Sequence, residues 1–356
     1  MADKQNTILQ VQNLHTHFFT ESGVIRALRG VDFSVERGKV LGVVGESGCG
    51  KSVTAQCIMN MLPGSGRIVE GKITYYRRDS ADSRTEAIDI TSLPPRGRAM
   101  RAIRGNEIAM IFQEPMTSLD PVYTVGSQLM EAITLHQTVT RQQGKEIAID
   151  ALAKVNLPEP ARILDAYPHQ LSGGQRQRVM IAIALSCNPT LLIADEPTTA
   201  LDVTTQAQIL DLMRALQEET QMSIIFITHD LGVVAEMCDD VAVMYLGKVV
   251  EQTDVDTTFH NPKHPYTRAL LRSIPRLTSD DKSRLNVIKG RVPDPSVVPS
   301  GCAFHPRCPE MIPGLCETHT PEVLTLNGNK QQVRCLLYDD KLMAKSSSPI
   351  ALAEAR

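Results

Sequence analysis

Gly45-Glu46-Ser47-Gly48-Cys49-Gly50-Lys51-Ser52 follows the apolar run Val40-Leu41-Gly42-Val43-Val44 and leads into Val53-Thr54-Ala55. A strand, a glycine-rich turn and a helix start in that order form a phosphate-binding loop. Glycines let the backbone wrap closely so that successive N–H groups point inward, and the helix N-terminus adds partial positive charge beneath a bound anion. In such a loop Lys51 reaches the β- and γ-phosphates and Ser52 offers its hydroxyl to Mg²⁺. The plainer reading, a glycine-rich turn, leaves unexplained why all four fixed positions and both flanks agree. A nucleoside triphosphate site spanning Gly45 to Val53 is therefore the working premise, with no role assigned to the Cys49 thiol.

On the N-terminal side, Ile8-Leu9-Gln10-Val11, His15 to Phe19 and Val31 to Val35 read as an antiparallel opening, with Gly38 as the turn before the loop's strand. Phe18, with Phe19 beside it, is the aromatic candidate for stacking on adenine; a strand phenylalanine that belongs to the core is the other reading. On the C-terminal side a helix over about 51–62 is broken by Pro63-Gly64-Ser65-Gly66, and Gly71 to Tyr76 resumes a strand. Arg77 to Glu86 has no apolar period and reads as a surface insertion. Ile108 to Phe112 is a short buried strand ending at Gln113, a residue placed to touch Mg²⁺ and an attacking water. From Thr124 to Leu157 the apolar residues fall at helical spacing, as in a helical insertion.

Leu171-Ser172-Gly173-Gly174-Gln175 then opens a helix over Arg176 to Ser186, a second anion-binding geometry in one chain. The continuous apolar run Leu191-Leu192-Ile193-Ala194, typical of a parallel strand buried on both faces, ends in Asp195-Glu196. Asp195 is suited to holding Mg²⁺ and Glu196 to orienting and deprotonating water. Asp202 precedes a helix with Ile209, Leu212, Met213 and Leu216 on one face. Ser223 to Ile227 is the next strand, and it delivers His229, placed to bond a γ-phosphate. Val241 to Glu251 reads as a hairpin around Gly247-Lys248.

The 356 residues suffice for about two domains. A formal charge of −3 leaves no footprint for nonspecific nucleic-acid binding. No apolar run approaches the ~18 residues of a membrane span, and the N-terminus carries no apolar signal segment, so a soluble intracellular chain is expected. The 8 cysteines are then expected as reduced thiols or metal ligands. Half of them, Cys302, Cys308, Cys316 and Cys335, fall in a proline-rich C-terminal segment. Their spacings lack the paired knuckles of common zinc ribbons, and cysteine tetrads also hold iron–sulfur clusters, so zinc, a cluster and uncoordinated thiols all stand on the residues alone.

The order phosphate loop, Gln113, LSGGQ, Leu191–Glu196, Ala200-Leu201-Asp202, His229 resembles the ABC-type ATPases over about residues 7–255. The resemblance implies an α/β P-loop ATPase core with an antiparallel β subdomain and a helical insertion (about 114–188). It also implies two cassettes meeting head to tail, with ATP and Mg²⁺ between the phosphate loop of one and Ser172-Gly173-Gly174-Gln175 of the other. Glu114 to Pro121, Tyr167-Pro168-His169-Gln170 and Asn261-Pro262-Lys263-His264-Pro265-Tyr266-Thr267 narrow it to the ATPase subunits of bacterial dipeptide and oligopeptide permeases. That family implies a similar but non-identical partner ATPase, two membrane subunits contacted through 114–135, an extracytoplasmic binding protein, and a place on the cytoplasmic face of the inner membrane. Import of nickel, haem or another small solute by the same architecture, and a soluble non-transport ABC ATPase, are the alternatives. The stretch Cys302 to Pro309 resembles the part of that family where a [4Fe–4S] cluster is found, which implies a cluster on the four cysteines within a small Cys-rich extension, 256–340. Lys341 to Arg356 reads as a disordered tail.

Overall fold

Strands built almost wholly of apolar residues form the centre of the fold, and their two faces separate cleanly. The computed structural model describes residues 6–78, 85–113, 118–274, 288–326, 328 and 331–342. Four parallel strands, β3 (Val40–Val44), β6 (Ile108–Ile111), β7 (Leu191–Asp195) and β8 (Ser223–Thr228), pair in the order β3-β8-β7-β6. Leu192, Ala194, Ile224 and Phe226 pack into one cluster with the helices, whereas Leu191, Ile193, Ile225 and Ile227 pack into a second one with the antiparallel sheet. This period-two division is why the runs read as continuously hydrophobic.

The antiparallel layer comprises β1 (Thr7–Thr20), β2 (Gly23–Glu36), β4 (Gly66–Arg78) and β5 (Thr85–Asp89) in the order β2-β1-β4-β5. Three expectations are corrected here. The two short strands expected within 8–19 are one strand, because a bulge at Asn13 (φ 45°) absorbs the irregular stretch, and its N–H donates to Asp32 Oδ1 at 2.7 Å. The second is likewise one long strand rather than a piece at 31–35. The expected insertion after Tyr76 is a hairpin: Arg77 pairs across to Glu86 at 3.1 Å and also binds Glu107 at 2.6 Å, and these charge pairs replace the missing apolar period. Residues 79–84 lie outside the description.

The loop's helix α1 (Lys51–Ile58) is shorter than expected, since Asn60 enters the left-handed region at φ 49°. The helical layer contains α2 (Val125–His136), α3 (Arg141–Lys154) and α4 (Gly173–Leu185), joined by Leu129, Ile133, Ala148, Leu152 and Val179 in one core. α5 (Val203–Thr220) and α6 (Leu231–Met237) connect the later strands.

β9 (Asp240–Tyr245) lies parallel to β3, and β10 (Lys248–Asp254) turns back antiparallel. Two short C-terminal strands, β11 (Leu324–Leu326) and β12 (Gln331–Val333), extend this same sheet beyond β10. The segment after residue 255 therefore shares the main core. Tyr266 and Phe304 are 0% and 2% exposed within it. Glu251, 1% exposed, fastens the segment by accepting from the N–H groups of Lys263 (2.7 Å) and His264 (2.9 Å) and from Gln331 Nε2 (2.7 Å). His264 then caps α7 (Pro265–Arg272), its Nδ1 accepting from the Tyr266 N–H at 3.0 Å. Residues 343–356, most of the expected tail, lie outside the description. Among the described residues no helix is long and apolar enough to cross a membrane.

Candidate active site

The register of the four parallel strands sets their carboxyl ends level: Val44 faces Thr228, Asp195 faces Ile227 and Ile111 faces Ala194. Every residue immediately beyond those ends thus emerges on one edge, where ligands bind in open α/β sheets. The phosphate loop, Gln113, Asp195-Glu196 and His229 meet there although Gln113 and Glu196 are 83 residues apart in sequence.

The loop's shape is enforced by contact. Gly45 has φ 154°, and a Cβ there would lie 2.2 Å from the Met244 carbonyl oxygen, closer than any real carbon approaches. Gly50, at φ 105°, caps α1 in the left-handed conformation, with Leu28 2.7 Å from a would-be Cβ. Ser47 and Gly48 form the exposed crest, while Cys49 is buried beneath it and burial raises its thiol pKa. Lys51 is 6% exposed and donates to the Gly45 carbonyl at 2.8 Å and more distantly to the Glu46 carbonyl at 3.4 Å. Val53, one turn into α1, packs against the core beneath the antiparallel sheet.

Asp195 is 3% exposed, and its Oδ1 is a buried oxygen without a hydrogen-bond partner. Burial pushes its carboxyl pKa up, while the Ser52 hydroxyl bonded to it, and then Lys51, oppose that push. An orphaned carboxylate oxygen beside a hydroxyl is an all-oxygen donor pair that fits a small hard cation such as Mg²⁺.

Glu196 adopts φ 47°, a conformation uncommon for a side chain of its size, and its N–H donates to the Ile227 carbonyl at 2.9 Å. Its carboxylate is held from three sides. Gln113 Nε2 donates to Oε2 at 3.2 Å, Thr199 Oγ1 donates to the same oxygen at 2.9 Å, and His229 Nδ1 lies 3.3 Å from Oε1. Gln113 is thereby joined to the glutamate rather than to Ser52. Thr199 was not singled out from sequence, although its position three residues after a strand-end glutamate is the signal that would have found it.

Ser172 and Gln175 bind each other in a reciprocal capping box: the Ser172 N–H donates to Gln175 Oε1 at 3.0 Å and the Gln175 N–H to Ser172 Oγ at 3.3 Å. This satisfies two groups and leaves Gly173 and Gly174 as the bare turn of the α4 N-terminus. Gly174 must be small, since a Cβ would meet Thr205 Cγ2 at 2.8 Å. Asp202 caps α5 by accepting from the Thr205 N–H at 2.9 Å and its hydroxyl at 2.7 Å. Phe18 is half-buried against Gly66, and Phe19 is 48% exposed beneath the Arg67 guanidinium.

Cys302, Cys308, Cys316 and Cys335 influence one another electrostatically, and burial followed by these neighbours pushes Cys335 up to about 12 and Cys308 up to about 11. Among the described residues, no group of three or more His, Cys, Asp or Glu side chains is arranged to hold a metal ion.

Comparison with known proteins bears directly on this geometry. The ABC transporter family description matches residues 28–199, and the oligopeptide/dipeptide transporter C-terminal region matches residues 250–316. The chain is 48% identical over 337 residues to the oligopeptide transport ATP-binding protein AppD of Bacillus subtilis (strain 168), covering 94% of this chain and 98% of that protein. It is 46% identical over 328 residues to the dipeptide transport ATP-binding protein DppD of Escherichia coli (strain K12), covering 92% and 96%. The dimeric post-hydrolysis structure of an ATP-binding cassette bound to ADP and Pi superposes with a TM-score of 0.59 at 26% identity, covering 70% of this chain and 99% of that one.

Proposed function

We propose, since this chain belongs to the ABC transporter family and to its oligopeptide/dipeptide branch, that it is the ATP-hydrolysing subunit of a bacterial importer of dipeptides or oligopeptides. The observation that carries the reading is the convergence of Lys51, Ser52, Gln113, Asp195, Glu196 and His229 on one sheet edge, in a chain whose residues 250–316 match the peptide-transporter C-terminal region. That match favours peptides over nickel, haem or another solute.

The residues divide the chemistry as follows. The N–H groups of Gly48 to Ser52 and the Lys51 ammonium receive the β- and γ-phosphates, and Phe18 offers a face to the adenine. Ser52 and Asp195, with Gln113, would hold Mg²⁺, which would supply charge neutralisation at the phosphate oxygens. Glu196, steadied by Gln113 and Thr199, orients the attacking water and takes its proton, and His229 holds the γ-phosphate side in line. Ser172 to Gln175 cover the nucleotide of the partner cassette, with Asp202 at that seam. Glu196→Gln tests the assignment: ATP binding is retained while turnover falls about 10²–10⁴-fold. Unchanged turnover removes the glutamate from its role.

The partner is a second, non-identical ABC ATPase beneath two membrane subunits, fed by an extracytoplasmic binding protein, at the cytoplasmic face of the inner membrane. An apolar cleft of about 300 Å³ between Phe112, Leu119, Ala132 and Met180, with Val122 and Tyr123 exposed beside it, supports the membrane-subunit contact; residues 114–117 of the expected segment lie outside the description. Residues 1–255 act as the nucleotide-binding unit and 256–340 as its extension. A [4Fe–4S] cluster on the four C-terminal thiols draws its support from their all-sulfur chemistry, from the burial of Cys316 and Cys335 with Cys302 and Cys308 half-buried, and from the charge Cys335 feels from the other three, although among the described residues they are not gathered as a metal-holding group. Anaerobically purified protein is expected to carry iron with broad visible absorbance, and replacing any of the four by Ser to remove it.

A further inference from the structure

We propose that Arg307, in the C-terminal extension, is a positioning residue for nucleotide binding: it neutralises and orients Glu46, the acid inside the phosphate loop, and so sets the loop's affinity for a triphosphate. This rests on the triphosphate binding in the Gly45–Ser52 loop.

An acid in such a loop is a liability, because its carboxylate sits beside a polyanion. Here the carboxylate is engaged. Arg307 Nη1 donates to Glu46 Oε2 at 2.7 Å and Nη2 to Oε1 at 2.9 Å, the two parallel bonds of a fork-to-fork pair. The arginine side chain is 4% exposed and the glutamate's 25%, so the pair is shielded from solvent screening mainly on the arginine side. Arg307 is itself held in place: its Nε donates to the Lys289 carbonyl at 3.2 Å, and its guanidinium lies 5.9 Å from the Tyr245 ring centre. Tyr245, Tyr266 and Phe304 pack as a trio beneath it, with centroids 4.7 to 5.4 Å apart.

The other polar groups of Glu46 are also engaged. Its N–H donates to the Tyr266 hydroxyl at 2.9 Å, and its carbonyl faces Lys51. Two of these three ties, Tyr266 and Arg307, come from the segment after residue 255. The extension therefore grips the first turn of the phosphate loop in the same chain, from a position between Cys302 and Cys308. Correct folding around those thiols is a condition for the loop's charge balance.

The test uses the full-length chain, with Mg·ATP binding measured by calorimetry and turnover measured in the assembled transporter. Arg307→Met bares the carboxylate and is expected to weaken ATP binding about tenfold at low salt, raising KM far more than it lowers kcat. The loss shrinks at high salt, as an electrostatic effect must. Arg307→Lys restores only part of it, since an ammonium cannot make the two-pronged contact. Glu46→Gln combined with Arg307→Met restores binding to within about twofold of wild type, because no charge is left to neutralise. Glu46→Gln alone, which keeps the arginine and needs no new packing, tightens binding and stands as the readout if Arg307→Met fails to fold. The proposal is overturned if Arg307→Met binds ATP normally, if its defect persists in the double variant, or if Glu46→Gln alone weakens binding. Failure of the wild-type chain to bind ATP would instead sink the nucleotide-site reading itself.

Discussion

Acidification is expected to loosen the C-terminal segment through His264. This side chain is 1% exposed, its Nδ1 accepts from the Tyr266 N–H, and burial, with help from the Arg268 charge, depresses its pKa from 6.5 to about 3. The folded chain therefore holds His264 neutral at pH values where the unfolded chain would protonate it. Its contribution to stability is fully present above pH 6.5 and is lost progressively as the pH falls toward 3. Each pH unit in that window is worth about 1.4 kcal/mol, so about 2 kcal/mol disappears by about pH 5. Asn at this position can still accept from the Tyr266 N–H as an N-cap but cannot titrate. Urea unfolding followed by circular dichroism at about pH 7.5 and about pH 5 should show wild type losing about 2 kcal/mol more than His264→Asn. Parallel losses in the two proteins would refute the reasoning, whatever their absolute stabilities.

Three further outcomes follow from the site. Gly45→Ala forces a Cβ onto the Met244 carbonyl, so it should abolish nucleotide binding and destabilise the fold by about 1–3 kcal/mol, read by calorimetry and denaturation. Thr199→Val removes one of the bonds to Glu196 and should lower kcat about tenfold at unchanged KM for ATP, in steady-state assays. Ser172→Ala breaks the capping box and should cost about 1 kcal/mol of stability, measured by urea midpoint.

The site's own side chains were legible because each sits where an apolar run meets a polar residue, and parallel pairing then sets those junctions level. Ser172 and Gln175 carried a second message, since serine followed three places later by glutamine is also a cap, and the structure uses it so. Strand lengths were less legible: Asn13 looks like a break in a linear reading and becomes a bulge only when Asp32 is alongside to receive its N–H. Arg307 and Tyr266 fall inside stretches that carry the family resemblance, yet nothing in either stretch pointed to Glu46. Their meeting with Glu46 spans 261 and 220 residues and exists only once the extension has folded back along β10.

The placement of β3 has a consequence for biosynthesis. This wholly buried strand has β8 and β9 as its two ladder partners, and both leave the ribosome only after residue 222 has been made. For about half of translation the nascent polypeptide must therefore carry Val40–Val44 and the phosphate loop without the neighbours that enclose them, a window in which sticky hydrophobic backbone invites misassembly. ATP has nothing completed to bind during that window, so the nucleotide can stabilise the finished chain but cannot template its early folding.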